Sequence, residues 1–145
     1  MNWNRSSQVD FDRIARPYRW FEYITLGGSL QSCRTHFLSQ LADRRHALIL
    51  GDGDGRFTAA LLGSNSEIQV VAVDISATML RILSQRCGAI GQEQSGRLST
   101  VRQDALEYTP SKTTDLVAAH FFFDCFTQQD LESLISRVAA SVGPH

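Results

Sequence analysis

Three glycines stand at alternate positions in Leu50-Gly51-Asp52-Gly53-Asp54-Gly55-Arg56, between the apolar run His46–Leu50 and a helical pattern over about Arg56 to Leu62. Glycines in such a place let the backbone turn tightly and let a ligand come close to it. The amides that open the following helix point into the same space. A nucleotide-type cofactor is the expected ligand. About twenty residues on, Val71-Ala72-Val73 ends in Asp74, followed by Ile75. A carboxylate at that strand end can accept hydrogen bonds from both ribose hydroxyls. A third apolar run leads to Gln103-Asp104-Ala105, where Asp104 can accept from an adenine amino group and the Ala105 amide can meet a ring nitrogen.

The spacing narrows the cofactor. A dinucleotide fingerprint, G-x-G-x-x-G, beginning at Gly51 needs glycine at position 56, which is Arg56. Asp52 and Asp54 flank the glycines and would repel a pyrophosphate. S-adenosylmethionine has no phosphate and carries a sulfonium cation, which acidic surroundings favour. The candidate cofactor-binding residues are therefore Gly51, Asp52, Gly53, Asp54, Gly55, Asp74, Ile75, Asp104, Ala105 and His120. Each has a plainer alternative: a tight turn for the glycines, a helix-capping acid for Asp74, a loop aspartate for Asp104.

His120 and Asp124 follow the fourth apolar run, on the side of an open α/β sheet where ligands bind. They are the candidate catalytic pair, able to orient or deprotonate an acceptor. The alternative is a hydrogen-bonded histidine at a strand end and an acid capping a turn. Phe121, Phe122, Phe123 and Phe126 can line an apolar acceptor pocket or fill the core. Cys125 reads as a small hydrophobe rather than a nucleophile.

These residues need a frame of alternating strands and helices. His46–Leu50, Ile68–Val73, Leu98–Arg102 and Asp115–His120 are the expected strands. The expected helices cover Arg56–Leu62, then a stretch capped by Ser76 with Met79, Leu83 and Cys87 on one face, then Gln128–Val142. The last is capped by Thr127 and carries Leu131, Leu134, Ile135 and Val138 on its core face, while Gly88–Gly96 reads as a loop. Upstream, Phe11, Ile14, Tyr18, Phe21 and Ile24 recur at helical steps interrupted by Pro17. Gly27-Gly28 marks a turn, and Ser29 caps a second helix with Leu30, Cys33, Phe37, Leu38 and Leu41. Tyr18, Trp20, Phe21 and Tyr23 can form a lid over the site or pack on the sheet. Alternating β and α units argue for a parallel α/β sheet.

Composition fits one ordinary globular domain over 1–145: 145 residues, 43% hydrophobic, 20% charged, net charge −1. No basic tract favours nucleic acid, no run of about 18 apolar residues suits a membrane span, and the N-terminus has no signal-peptide pattern. Cys33, Cys87 and Cys125 form no C-x-x-C pair and give no metal-site spacing. Free thiols in a reducing cytoplasm are expected.

Ala47–Gly55, Val71–Leu80 and Gln103-Asp104-Ala105 resemble, in order and spacing, the first three motifs of class I methyltransferases, and Asp115–His120 resembles the fourth. Phe11–Tyr18 is similar to the lid segment of the ubiquinone/menaquinone-biosynthesis methyltransferases and their small-molecule relatives. The resemblance implies a Rossmann-like open parallel sheet in strand order 3-2-1-4, with flanking helices, behind an N-terminal helical lid over 1–44. It implies S-adenosylmethionine-dependent methyl transfer to a small-molecule acceptor, without a metal. Two departures stand out. The family's acid two residues before the first glycine is Ile49 here, so Asp52 or Asp54 has to substitute. The family's sheet continues 3-2-1-4-5-7-6, and this chain supplies four strands. A truncated product is expected, or a homodimer or partner chain covering the fourth strand's edge. The rival readings are a non-catalytic cofactor-binding or interaction module and an NAD-dependent oxidoreductase.

Overall fold

The computed structural model describes residues 32–89, 91, 96–120 and 122–142, the side chain of Asp124 excepted. The upstream aromatic helix, Gly27-Gly28, the cap at Ser29, Phe121 and Gly143–His145 lie outside the described residues. Arg34–His145 forms one compact unit and Met1–Cys33 a second, of which only Ser32 and Cys33 are described.

The main unit holds strands β1 (His46–Leu50), β2 (Gln69–Asp74), β3 (Leu98–Arg102) and β4 (Leu116–Ala118). Its helices are α1 (Arg56–Ser64), α2 (Ala77–Ala89) and α3 (Gln128–Ser141). The strands form one parallel sheet, as the alternating pattern predicts, in the order β3-β2-β1-β4 that the family resemblance implies. β1 is central, and all of Ala47–Leu50 is buried. Because side chains alternate along a strand, Ala47 and Ile49 enter one core while Leu48 and Leu50 enter the other. The first core is closed by Phe57, Leu61 and Leu62 of α1 and by Leu83 and Cys87 of α2. Burying each large side chain stabilises by about 1.5–3 kcal/mol. The second core takes Leu134 of α3, with Val138, Phe122 and Phe126 packed against it.

Several elements depart from expectation. β4 is three residues long, shorter than Asp115–His120, because Asp115 turns its side chain to the start of β1. Its carboxylate accepts from the Arg45 and His46 amides at 2.7 and 2.8 Å. α2 runs on to Ala89, into the expected loop, and buries Leu80 with Leu83 and Cys87 in place of Met79. Residues 32–35 are helical, but the helix stops there and a separate 3-10 turn covers Leu38–Leu41, leaving Phe37 exposed. On α3, Ile135 is 49% exposed rather than in the core, since α3 is the only described helix on that face and no neighbour covers its flank. Thr127 does cap α3, accepting from the Asp130 amide at 3.2 Å. No described helix is long and apolar enough to cross a membrane.

Asn65, directly after α1, holds the far end of the sheet together. Its Nδ2 donates to the carbonyls of Leu41, Ala42 and Arg44, and its Oδ1 accepts from the Glu67 and Ile68 amides. Both turns that flank β1 and β2 thus hang on one buried amide. Each such bond contributes about 0.5–1.5 kcal/mol net, and orphaned buried partners cost more. Asn65→Ala is expected to lower unfolding free energy by about 3 kcal/mol, read from urea denaturation.

Candidate functional site

The glycine loop leaves β1 with all three glycines in the left-handed region, at φ 61° (Gly51), 63° (Gly53) and 78° (Gly55). Their surroundings differ. A β-carbon on Gly51 would run into the ring of Phe122, and one on Gly55 would meet Leu83 of α2 at 2.6–2.8 Å, backbone included. One on Gly53 would meet no described residue within 4 Å. The outer glycines are closed by packing, and the middle one is open among the described residues. The Gly51 amide donates to the Val73 carbonyl at 3.0 Å, which ties the loop's start to the end of β2.

Both loop acids are engaged by the protein. Asp52 is only 7% exposed, and its Oδ2 accepts from the Thr58 amide and hydroxyl, each at 2.8 Å. Gly55, the residue before α1, has no side chain to cap with, so Asp52 reaches across the turn and does so. Asp52 Oδ1 is buried without a hydrogen-bond partner among the described residues. Burial pushes the Asp52 carboxyl above its ordinary range, against the opposing pull of the Thr58 bonds and the Arg34 charge. Asp54 is paired with Arg56 and with Arg86 of α2, both at 3.0 Å, and its carbonyl accepts from Arg86 Nε at 2.8 Å. Sequence reasoning picked out both acids but missed Thr58 and Arg86 as their partners. An acid just ahead of a helix with threonine at its third position was the legible signal for one of these pairs.

The remaining candidates sit at the same, C-terminal, edge of the sheet. Asp74 ends β2 beside Arg102, its partner in β3. Its Oδ1 accepts from the Ser76 amide at 2.8 Å, which shapes the turn into α2. Ile75 is 67% exposed, an apolar surface next to that carboxylate. Asp104 Oδ1 accepts from the Leu106 amide at 2.9 Å, and Ala105 is buried in the second core. The glycine loop, Asp74 and the Asp104-Ala105 turn are therefore brought to the ends of three adjacent strands.

His120 leaves β4 on the α1 side and lies against Phe57, ring centroids 4.3 Å apart. Its Nδ1 is buried with no partner among the described residues. Burial, and then the Arg34 charge, hold its pKa below the ordinary histidine value, so the ring is neutral near pH 7. Phe122 goes to the opposite side of the sheet, where it packs edge-to-face on Phe126 at 4.8 Å. Asp124 falls in the 3-10 turn Phe123–Cys125, and its side chain lies outside the described residues. Cys33, Cys87 and Cys125 form no disulfide; Cys87 is buried and the other two are exposed. No group of metal-ligating side chains occurs among the described residues.

A family model described as a methyltransferase domain matches residues 47–145. No curated protein matches the chain in sequence. Among solved structures, the S-adenosylmethionine-dependent methyltransferase SibL, in its apo form, superposes with a TM-score of 0.66 at 16% identity. That match covers 90% of this chain and 36% of SibL. The mitomycin 7-O-methyltransferase MmcR gives 0.64 at 15% identity, over 82% of this chain and 34% of MmcR. The N-methyltransferase NodS from Bradyrhizobium japonicum WM9, in complex with S-adenosyl-L-homocysteine, gives 0.64 at 17% identity, over 79% and 58%. The likeness is one of fold, and the chain spans about a third of the length of the first two.

Two outcomes follow from the loop and from His120. Gly53→Ala adds only left-handed strain, about 1 kcal/mol, whereas Gly55→Ala adds a clash with the Leu83 backbone and should cost about 3 kcal/mol in denaturant melts. A depressed histidine pKa means that, as pH falls below about 6.5, the unfolded chain takes up a proton that the folded chain resists. Stability from neutral His120 is therefore present above that pH and lost on acidification through the folded pKa. His120→Leu should make unfolding free energy less steeply dependent on pH between 7.5 and 5.5 than in the wild type.

Proposed function

The chain belongs to the methyltransferase-domain family, and on that premise we propose that it binds S-adenosylmethionine and transfers its methyl group to a small-molecule acceptor. The open approach to Gly53, between two glycines sealed by Phe122 and Leu83, is the observation that carries this reading. A cofactor chain laid over Gly53 has the Asp74 carboxylate and the exposed face of Ile75 at the end of the neighbouring strand. Asp104 and Ala105 follow β3, one strand further, and are the pair assigned to the adenine. Asp52 and Asp54 serve the site through the loop, one by capping α1 and the other by pairing with Arg56 and Arg86.

Bound there, S-adenosylmethionine supplies an electrophilic methyl carbon on a sulfonium. The chain's own part is to hold the loop rigid, orient the acceptor and keep water out. Neutral His120 is the proton acceptor at hand where the acceptor must ionise first, and Asp124 is the second candidate for that role. SibL, MmcR and NodS support the reading by their names as well as their fold, since oxygen and nitrogen acceptors are both represented among them. A cytoplasmic setting suits three cysteines that form no disulfide. The outer edge of β4, unpaired among the described residues, is where a further strand or a second copy would add.

Calorimetry with S-adenosylmethionine and S-adenosylhomocysteine tests this directly, with NAD and ATP as controls. Micromolar binding of the first pair alone is expected, about −8 kcal/mol. Asp74→Ala should weaken it by roughly tenfold, about 1.4 kcal/mol, and Gly53→Val should abolish it. A folded chain that binds neither, or that prefers NAD, refutes the assignment.

A further inference from the structure

We propose that Phe122 is a positioning residue that couples the cofactor loop to the segment after β4, so that filling the loop orders the acceptor side; this rests on the cofactor reading above. Five side chains hold the glycine loop: Thr58 through Asp52, Arg56 and Arg86 through Asp54, Leu83 at Gly55 and Phe122 at Gly51. The first four come from α1 and α2, which belong to the cofactor half of the fold. Phe122 alone among them comes from the other side, beyond β4.

Its contact with the loop is backbone contact. A β-carbon at Gly51 would lie under 3.0 Å from the Phe122 ring, so the ring sits directly on the Gly51 α-carbon, in the peptide that begins the turn. From there the ring is braced edge-to-face by Phe126 and by the second core, around Leu50 and Val73. Its own carbonyl accepts from the Cys125 amide at 3.1 Å, and that of Phe123 accepts from the Phe126 amide at 3.2 Å. Thr127 then caps α3. A shift of the first loop peptide therefore moves a ring that is bonded through two successive turns to the start of α3. Phe123, 40% exposed, lies in the same turn, so the linkage reaches an aromatic surface open to an acceptor.

Amide hydrogen exchange on the full chain, with and without saturating S-adenosylhomocysteine, reads this linkage. The Cys125 and Phe126 amides should exchange at least fivefold more slowly with ligand in the wild type. In Phe122→Ala the ligand should bind roughly tenfold more weakly and, once saturating, should leave those two amides unchanged. Phe122→Leu keeps an apolar filler should the alanine variant not fold, and it should show less than half of the wild-type slowing. A merely structural phenylalanine would lower the melting temperature equally with and without ligand, and would leave the ligand-dependent slowing intact. Wild-type binding by calorimetry without slowing at Cys125 and Phe126, or equal slowing in both variants, overturns the coupling and leaves the cofactor reading standing. Absence of binding by the folded wild type removes both.

Discussion

Phe122 and Leu83 fill the two places where Gly51 and Gly55 would otherwise carry a β-carbon, and the rest of the site is arranged around that steric constraint. A buried strand has to pass into a buried helix within five residues, with core side chains on both flanks. Only a backbone without side chains can do so at left-handed dihedrals. The turn then needs a helix cap that its own glycine cannot give. Asp52 supplies it from three residues upstream, at the cost of burying a carboxylate. Loop shape, capping and the raised pKa of Asp52 thus have one origin.

The same constraint alters how charge acts at the loop. In the linear sequence, two aspartates between glycines look like an anionic patch facing the ligand. In the fold, Asp54 is matched by two guanidinium groups and Asp52 is turned inward onto Thr58. The local field at Gly53 is correspondingly weaker than a count of acids suggests. Of the two features that part this loop from the dinucleotide fingerprint, Arg56 in place of the third glycine is the one the fold leaves undiminished.

Much of this was legible in the sequence, and the boundary of legibility has physical causes. β1 and β3 are found at their expected limits, because short apolar runs bounded by turn residues have few alternatives. The parallel sheet follows from alternation, and its strand order from the family resemblance. On α2, Leu80 joins Leu83 and Cys87 in the core where Met79 was expected, since Met79 and Leu80 are adjacent and periodicity alone cannot choose between them. Ile135 was assigned to the core from its spacing, although burial depends on whether a neighbouring helix exists. Asn65 gave no signal at all. A polar residue after a helix is commonplace, and the three bonds from its Nδ2 exist only once Leu41–Arg44 has folded back beside it. Contacts such as Asp54 with Arg86, 32 residues apart, are invisible to local pattern for the same reason.

The position of β4 has a bearing on the order in which the sheet is assembled. Ala47 pairs with Val70, 23 residues along the chain, on one side of β1, and with Leu116, 69 residues along, on the other. Closing a loop three times longer costs about 1 kcal/mol more in chain entropy. The near pair also arrives with α1 already packed against it, while β4 offers three residues of ladder in return. During synthesis, β1, α1 and β2 can therefore come together before β4 is available to pair. The strand that precedes Phe122 joins a template whose first pairing is already made.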